Sequence, residues 1–173
     1  MGNNAYPNQI TNPNAAAPIW GNPNLVVSVT PVVAASANAS GNALSTIMTF
    51  PVFKTTLRAS GLLTNFWVMS KTGLTGAMTI YVFGTKPATL PVKNTAWLLN
   101  VADMPLLVTP PFVLTPAVIG VGAVESVGSN QNIGSIVNSD SPLTANVYIV
   151  AVTAGVTPAS TSEYTFFASV LSD

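Results

Sequence analysis

The chain has no cysteine and no histidine, and of its 173 residues only five are Lys or Arg and five are Asp or Glu. Each shortage removes a class of chemistry. Without Cys there is no disulfide, no thiolate metal site and no thiol nucleophile, and the redox compartment is left open. Without His, neither a Ser–His–Asp nor a Cys–His nucleophile arrangement can be assembled. Charged residues make up 6% of the chain and the formal net charge is zero, where an ordinary soluble domain carries about 25% charged residues. With no basic excess and no Arg-rich or aromatic–basic cluster, nucleic acid is a poor partner. A surface this neutral also lacks the self-repulsion that keeps monomers apart. Its polarity comes from Ser, Thr and Asn, which cost less to bury in a permanent contact than ions do.

The remaining acids and glycines form no recognisable site. A glycosidase-like carboxylate pair would have to draw on Asp103, Glu125, Asp140, Glu163 or Asp173, and no flanking pattern marks two of them. Asp140 sits in an NSDSP turn, and Asp103 reads as a local cap or the partner of a base. No loop gathers the oxygen ligands calcium needs. Gly120, Gly122, Gly128 and Gly134 are followed by no Lys and make no phosphate loop. The chain therefore reads as non-enzymatic, with no cofactor and no metal.

Targeting signals are missing too. The start MGNNAYPNQI has neither a basic nor an apolar region of a signal peptide, and Tyr6 stands where a myristoylation motif wants Ser or Thr. The apolar stretch from Met104 to Val124 is interrupted by Pro105, Pro110, Pro111 and Pro116, so it is no transmembrane helix and no membrane partner is expected.

What is present is a chain of one-domain length, able to bury roughly 70% of its unfolded surface. Residues 1–24 stand apart. Asn and Pro recur through them, with no charge and no periodicity, and both residue types oppose regular ladders. Yet Tyr6, Ile10, Ile19 and Trp20 are apolar. Two readings fit: a solvated tail, or an extended arm that adheres to a neighbouring subunit through those four residues. From Leu25 onward the pattern is that of strands, giving a sandwich domain over 25–173.

Alternation predicts strands at 25–30, 44–50, 62–71, 77–83, 112–124 (bent at Pro116), 133–137, 143–152 and 164–171. Gly73 and Gly76 between two apolar runs predict a hairpin. GSNQNIG and NSDSP read as turns, and Asn94 to Asp103 as a short helical turn carrying Trp97, Leu98 and Val101. In 143–152, Leu143, Ala145, Val147, Ile149 and Ala151 form a core stripe. In 77–83, Met78, Ile80 and Val82 face one way, Tyr81 and Phe83 the other. Both faces being apolar, this strand is either central or covered by a partner, which makes Tyr81 and Phe83 candidate assembly contacts. Trp67 reads as core, Trp97 as packed beneath a loop, and Trp20 as leaning to an interface. So many short strands imply an all-β fold, one β-sandwich of jelly-roll type with an extended N-terminal arm.

The bases all lie between Lys54 and Lys93 and the acids all follow residue 100. If that segregation persists in space it supplies head-to-tail complementarity between copies; if the strands interleave, it vanishes.

Several short motifs resemble small β-sandwich virion proteins of tailed bacteriophages, the head decoration or cement proteins. They are Thr30–Val32, Ser60–Leu62 opening a strand, the aromatic strand and its exit Ile80–Pro87, the turn carrying Asn94, Ala96, Trp97 and Asp103, the late strand Val147–Val152, and the loop at Thr157 and Pro158. The match spans roughly 25–171. The chain departs from it in having few acids after Phe83 and a longer, Asn-rich arm. The resemblance implies a non-enzymatic protein on the outside of the capsid, often a homotrimer, that binds the major capsid protein and bridges its neighbours. It carries over no site residue. A tail or fibre module and a carbohydrate-binding sandwich are the alternatives. The former should show a shaft-like repeat, and the latter exposed aromatics near paired carboxylates.

Overall fold

Among the described residues, none of the nine strands contains a charged residue, so each of them can lie against apolar or neutral neighbours on both faces. The computed structural model describes residues 25–51, 60–119, 125–138 and 146–172. The strands are β1 (Leu25–Val29), β2 (Met48–Pro51), β3 (Ser60–Ser70), β4 (Met78–Phe83), β5 (Phe112–Leu114), β6 (Ala117–Val118), β7 (Ser126–Asn138), β8 (Asn146–Thr153) and β9 (Tyr164–Ser172). They form a five-stranded sheet in the order β1-β9-β3-β7-β6 and a four-stranded sheet in the order β2-β8-β4-β5. The fold is an all-β sandwich.

The pairing is nested. Apart from the two-residue β6, first pairs with last: β1 with β9, β2 with β8, β3 with β7 and β4 with β5, all antiparallel. The chain is thus one long antiparallel ribbon, folded over so that successive pairs alternate between sheets. The ladders β3–β9 and β4–β8 then join the ribbon edges. This is the jelly-roll order. The edge strands β2, β5 and β6 are short, which blunts edges that carry no charge to protect them.

Between the sheets, alternate residues interdigitate. Phe66 sits at the centre, its ring 6.0 Å from Phe50, 6.0 Å from Phe112 and 6.1 Å from Phe166. Val147, Ile149 and Ala151 join this core as the stripe predicts. Burying each large side chain contributes about 1.5–3 kcal/mol.

Three local expectations give way. First, β3 and β4 are not a hairpin: they belong to different sheets, and 71–77 arches between them. Leu74 enters the core, its amide bound to Ser70 Oγ at 3.0 Å and its carbonyl accepting from Ser126 Oγ at 2.6 Å. Gly73 takes a φ of 74°. Gly76 lies so close to Val156 and the Gly155 carbonyl that a side chain there would clash. Second, GSNQNIG is no turn but the middle of β7. The β3–β7 register shifts between Leu63 and Asn65, and Gly134, at a φ of 65°, lets the strand bulge there and resume. Third, the helical turn starts late. Asn94 adopts a φ of 56°, which breaks helical continuation, and a 3-10 turn runs over Val101–Leu106 with Asn100 capping the Ala102 amide at 2.9 Å. The bend at Pro116 falls as expected, carrying the chain from β5 in one sheet to β6 in the other. Among the described residues no helix is long and apolar enough to cross a membrane.

Candidate assembly surfaces

The sandwich has two outer faces, and the chain treats them differently. Over the four-stranded sheet, segment 84–111 folds back and covers the face. Beneath it lies a second apolar cluster of Ala43, Phe83, Trp97, Tyr148 and Val150, with Tyr81 packed at its margin. Trp97 meets Tyr81 edge-on at 5.1 Å and 73°, and its indole N–H donates to the Thr89 carbonyl at 3.2 Å. β4 is therefore central and its second face is covered by its own chain. Phe83 is fully buried inside the subunit and Tyr81 is half-buried against Trp97, so the assembly role expected of Phe83 is corrected: it has no surface to present.

The covering segment is pinned by Asp103. Its carboxylate accepts from two successive amides, Ala88 at 2.9 Å and Thr89 at 3.0 Å. Those two bonds hold the carboxyl below its usual range, against the opposing effect of burial. Asp103 caps backbone groups, and among the described residues no base shares its bonds to Ala88 and Thr89. Outside this fixed scaffold the segment turns apolar side chains to solvent. Leu98 is 85% exposed and Val101 76%, and Leu90, Val92 and Met104 are exposed as well. Val101 and Met104 are three residues apart in a 3-10 turn, which puts them on one side.

The outer face of the five-stranded sheet has no such cover among the described residues. Trp67 and Phe167, register partners on β3 and β9, stack at 5.1 Å with ring planes 3° apart. They flank core residues Phe66, Val68, Phe166 and Ala168 but point the other way, so Trp67 is an outer-face residue and not part of the core. The row Leu171–Leu62–Ile136 runs across β9, β3 and β7, and Ile136 is 67% exposed.

Glu163 is buried, and its Oε1 accepts from Ser70 Oγ at 2.6 Å, Thr72 N at 2.9 Å and Thr72 Oγ1 at 2.8 Å. Burial pushes this carboxyl up, but those bonds together with the nearby Ala159 amide outweigh it and hold the carboxyl below its usual range. Its Oε2 accepts no hydrogen bond. The neighbouring Tyr164 hydroxyl is also buried without a partner, and burial, then the Glu163 charge, raises its pKa. Both buried carboxylates are thus held by neutral donors. No group of three or more His, Cys, Asp or Glu is placed to hold a metal ion among the described residues.

Tyr6, Ile10, Ile19 and Trp20 lie outside the described residues, as does the turn at Asp140. No family model matches the chain, no curated protein matches it, and no solved structure matches it. Sequence reasoning missed both exposed surfaces. Trp67 sits between two other apolar residues, so period-2 alternation alone assigns it to neither face. For the other patch, the helical turn expected over Asn94 to Asp103 groups Leu98 and Val101 with Trp97, and the spacing does not tell which of the three is buried.

Proposed function

We propose that this chain is a structural protein of a virus particle, a bacteriophage decoration or cement protein. In this reading it binds the major capsid protein on the outer head surface and bridges neighbouring capsid subunits, and it catalyses nothing. The observation that carries it is the combination of uncharged sheets with exposed apolar patches on both sides of the sandwich. A free monomer has no use for such a surface, and patches of this kind mark protein contacts. The jelly-roll order supports the reading by fold analogy, since viral capsid domains use it. In this reading Tyr6, Ile10, Ile19 and Trp20 supply additional anchors, and copies of the chain self-associate on the particle.

Attachment then rests on apolar burial and neutral hydrogen bonds. Salt screens exposed charges over roughly 8 Å at physiological strength and hardly affects apolar contacts. Co-sedimentation with undecorated heads at low and high salt tests this. Binding that persists at high salt, and weakens with Leu98→Ser plus Val101→Ser or with Trp20→Ala plus Tyr6→Ala, is the expected result. Binding that collapses at high salt sinks the apolar account, and heads that never retain the protein sink the cement reading.

A further inference from the structure

We propose that the outer face of the five-stranded sheet is covered in solution by the same face of a second copy, in a two-fold pair centred on the Trp67–Phe167 stack. The inference goes beyond head binding and is tested without heads.

Three observations carry it. The first is chemical. A two-fold contact brings one patch against itself, so a charge at the axis meets its like, and a charge elsewhere must find its opposite within the same patch or be buried unpaired. The strands β1, β9, β3, β7 and β6 contain no Asp, Glu, Lys or Arg, and the Trp67–Phe167 row is flanked by Ser28 and Ser129. The patch is therefore self-compatible at every described position. A partner of different chemistry, recognised by opposite charge, would find nothing complementary on it.

The second is size. The central strand β3 has 11 residues, which at about 3.4 Å each gives a face roughly 37 Å long. Its neighbours at about 4.8 Å spacing bring the area to roughly 600 Å² per copy. Two such faces bury about 1,200 Å², the lower edge of what specific association requires. Association is thus expected to depend on concentration.

The third is shape. The central stack is flat, with the Trp67 and Phe167 rings 3° from parallel, while Val26, Leu171 and Ile136 stand exposed around it. Aromatic centres of this kind dominate protein contacts, and a sheet face packs on another at about 10 Å with its strands close to aligned. The opposite face of the sandwich is already covered by segment 84–111, so this is the one large sheet face among the described residues left for a second copy.

Sedimentation of the isolated full-length protein across a wide concentration range decides the matter. The expected result is a reversible monomer–dimer equilibrium. Ile136→Lys and Trp67→Lys should each weaken it about tenfold or more, because every dimer receives two copies of the substitution. Ile136 is exposed, so its variant should keep the thermal midpoint that the wild type shows at concentrations where it is monomeric, even if the Trp67 variant unfolds. Three outcomes overturn the proposal: a monomer at every concentration, association that Ile136→Lys leaves unchanged, or a particle with the mass of three copies. If the association that Ile136→Lys leaves unchanged is abolished by Trp20→Ser, the second outcome also points to the N-terminal segment as the occupant.

Discussion

Ser70, the last residue of β3, donates its hydroxyl to Glu163, the residue just before β9, at 2.6 Å. The same hydroxyl accepts from the Leu74 amide at 3.0 Å. One serine thus ties the end of the β3–β9 ladder to the arch that carries the chain into the other sheet.

That network predicts acid sensitivity. The folded carboxyl of Glu163 titrates below its ordinary value of 4.5. Its contribution to stability is therefore present above that ordinary value and is lost as pH falls through the lower folded value. Asp103 is shifted in the same direction and adds to the loss. Urea unfolding from pH 6 to pH 3 should show stability falling with acid, and Glu163→Gln should flatten part of that slope. Glu163→Ala strands the Ser70 hydroxyl and the Thr72 donors and should cost about 2–4 kcal/mol at pH 7. An unchanged slope in Glu163→Gln would contradict the assignment.

Tyr164→Phe should behave in the opposite sense. The hydroxyl is buried and makes no hydrogen bond, so its removal relieves a desolvated polar group while the ring stays against Phe166. The variant should match or exceed the wild type by up to about 1 kcal/mol in urea. The raised tyrosine pKa means that wild-type stability declines as pH rises above about 10, where the unfolded tyrosine ionises. Tyr164→Phe should lose that component. Destabilisation beyond 1 kcal/mol would show that the hydroxyl has a partner.

Asp103→Asn should loosen segment 84–111 without unfolding the sandwich. An amide group can accept from only one of the Ala88 and Thr89 amides and turns a donor towards the other. Thr89 also receives the Trp97 indole N–H, so the disturbance reaches the second cluster. Trp97 should become more accessible to acrylamide quenching while far-UV circular dichroism is retained. Unchanged quenching would mean that Asp103 does not position the segment.

Phe66→Ala should cost about 3–5 kcal/mol, since it removes the ring shared by Phe50, Phe112 and Phe166. By contrast Trp67→Ala, one residue away, should cost less, because Trp67 lies on the outer face and outside the core cluster. Urea unfolding of the pair checks the phase of β3 directly. Equal losses would place both rings in the core.

The β class was legible from the chain because alternation is a local property: β1 and β4 fall within a residue of their expected spans, and Val147, Ile149 and Ala151 face the core as their spacing requires. The absence of Cys and His likewise excluded, without any structure, thiol and imidazole chemistry from the chain's own side chains. What alternation does not carry is which sheet a strand joins. Gly73 and Gly76 fit a hairpin as well as an arch, and only the nested pairing of β3 with β7 and β9, and of β4 with β5 and β8, decided for the arch. The same holds for faces. Phe83 and Trp67 are both aromatic residues in apolar strands, yet segment 84–111 buries the first and nothing among the described residues covers the second. Burial depends on what returns from far along the chain to lie on a surface, and that is settled by packing between distant segments, not by the neighbours of a residue in sequence.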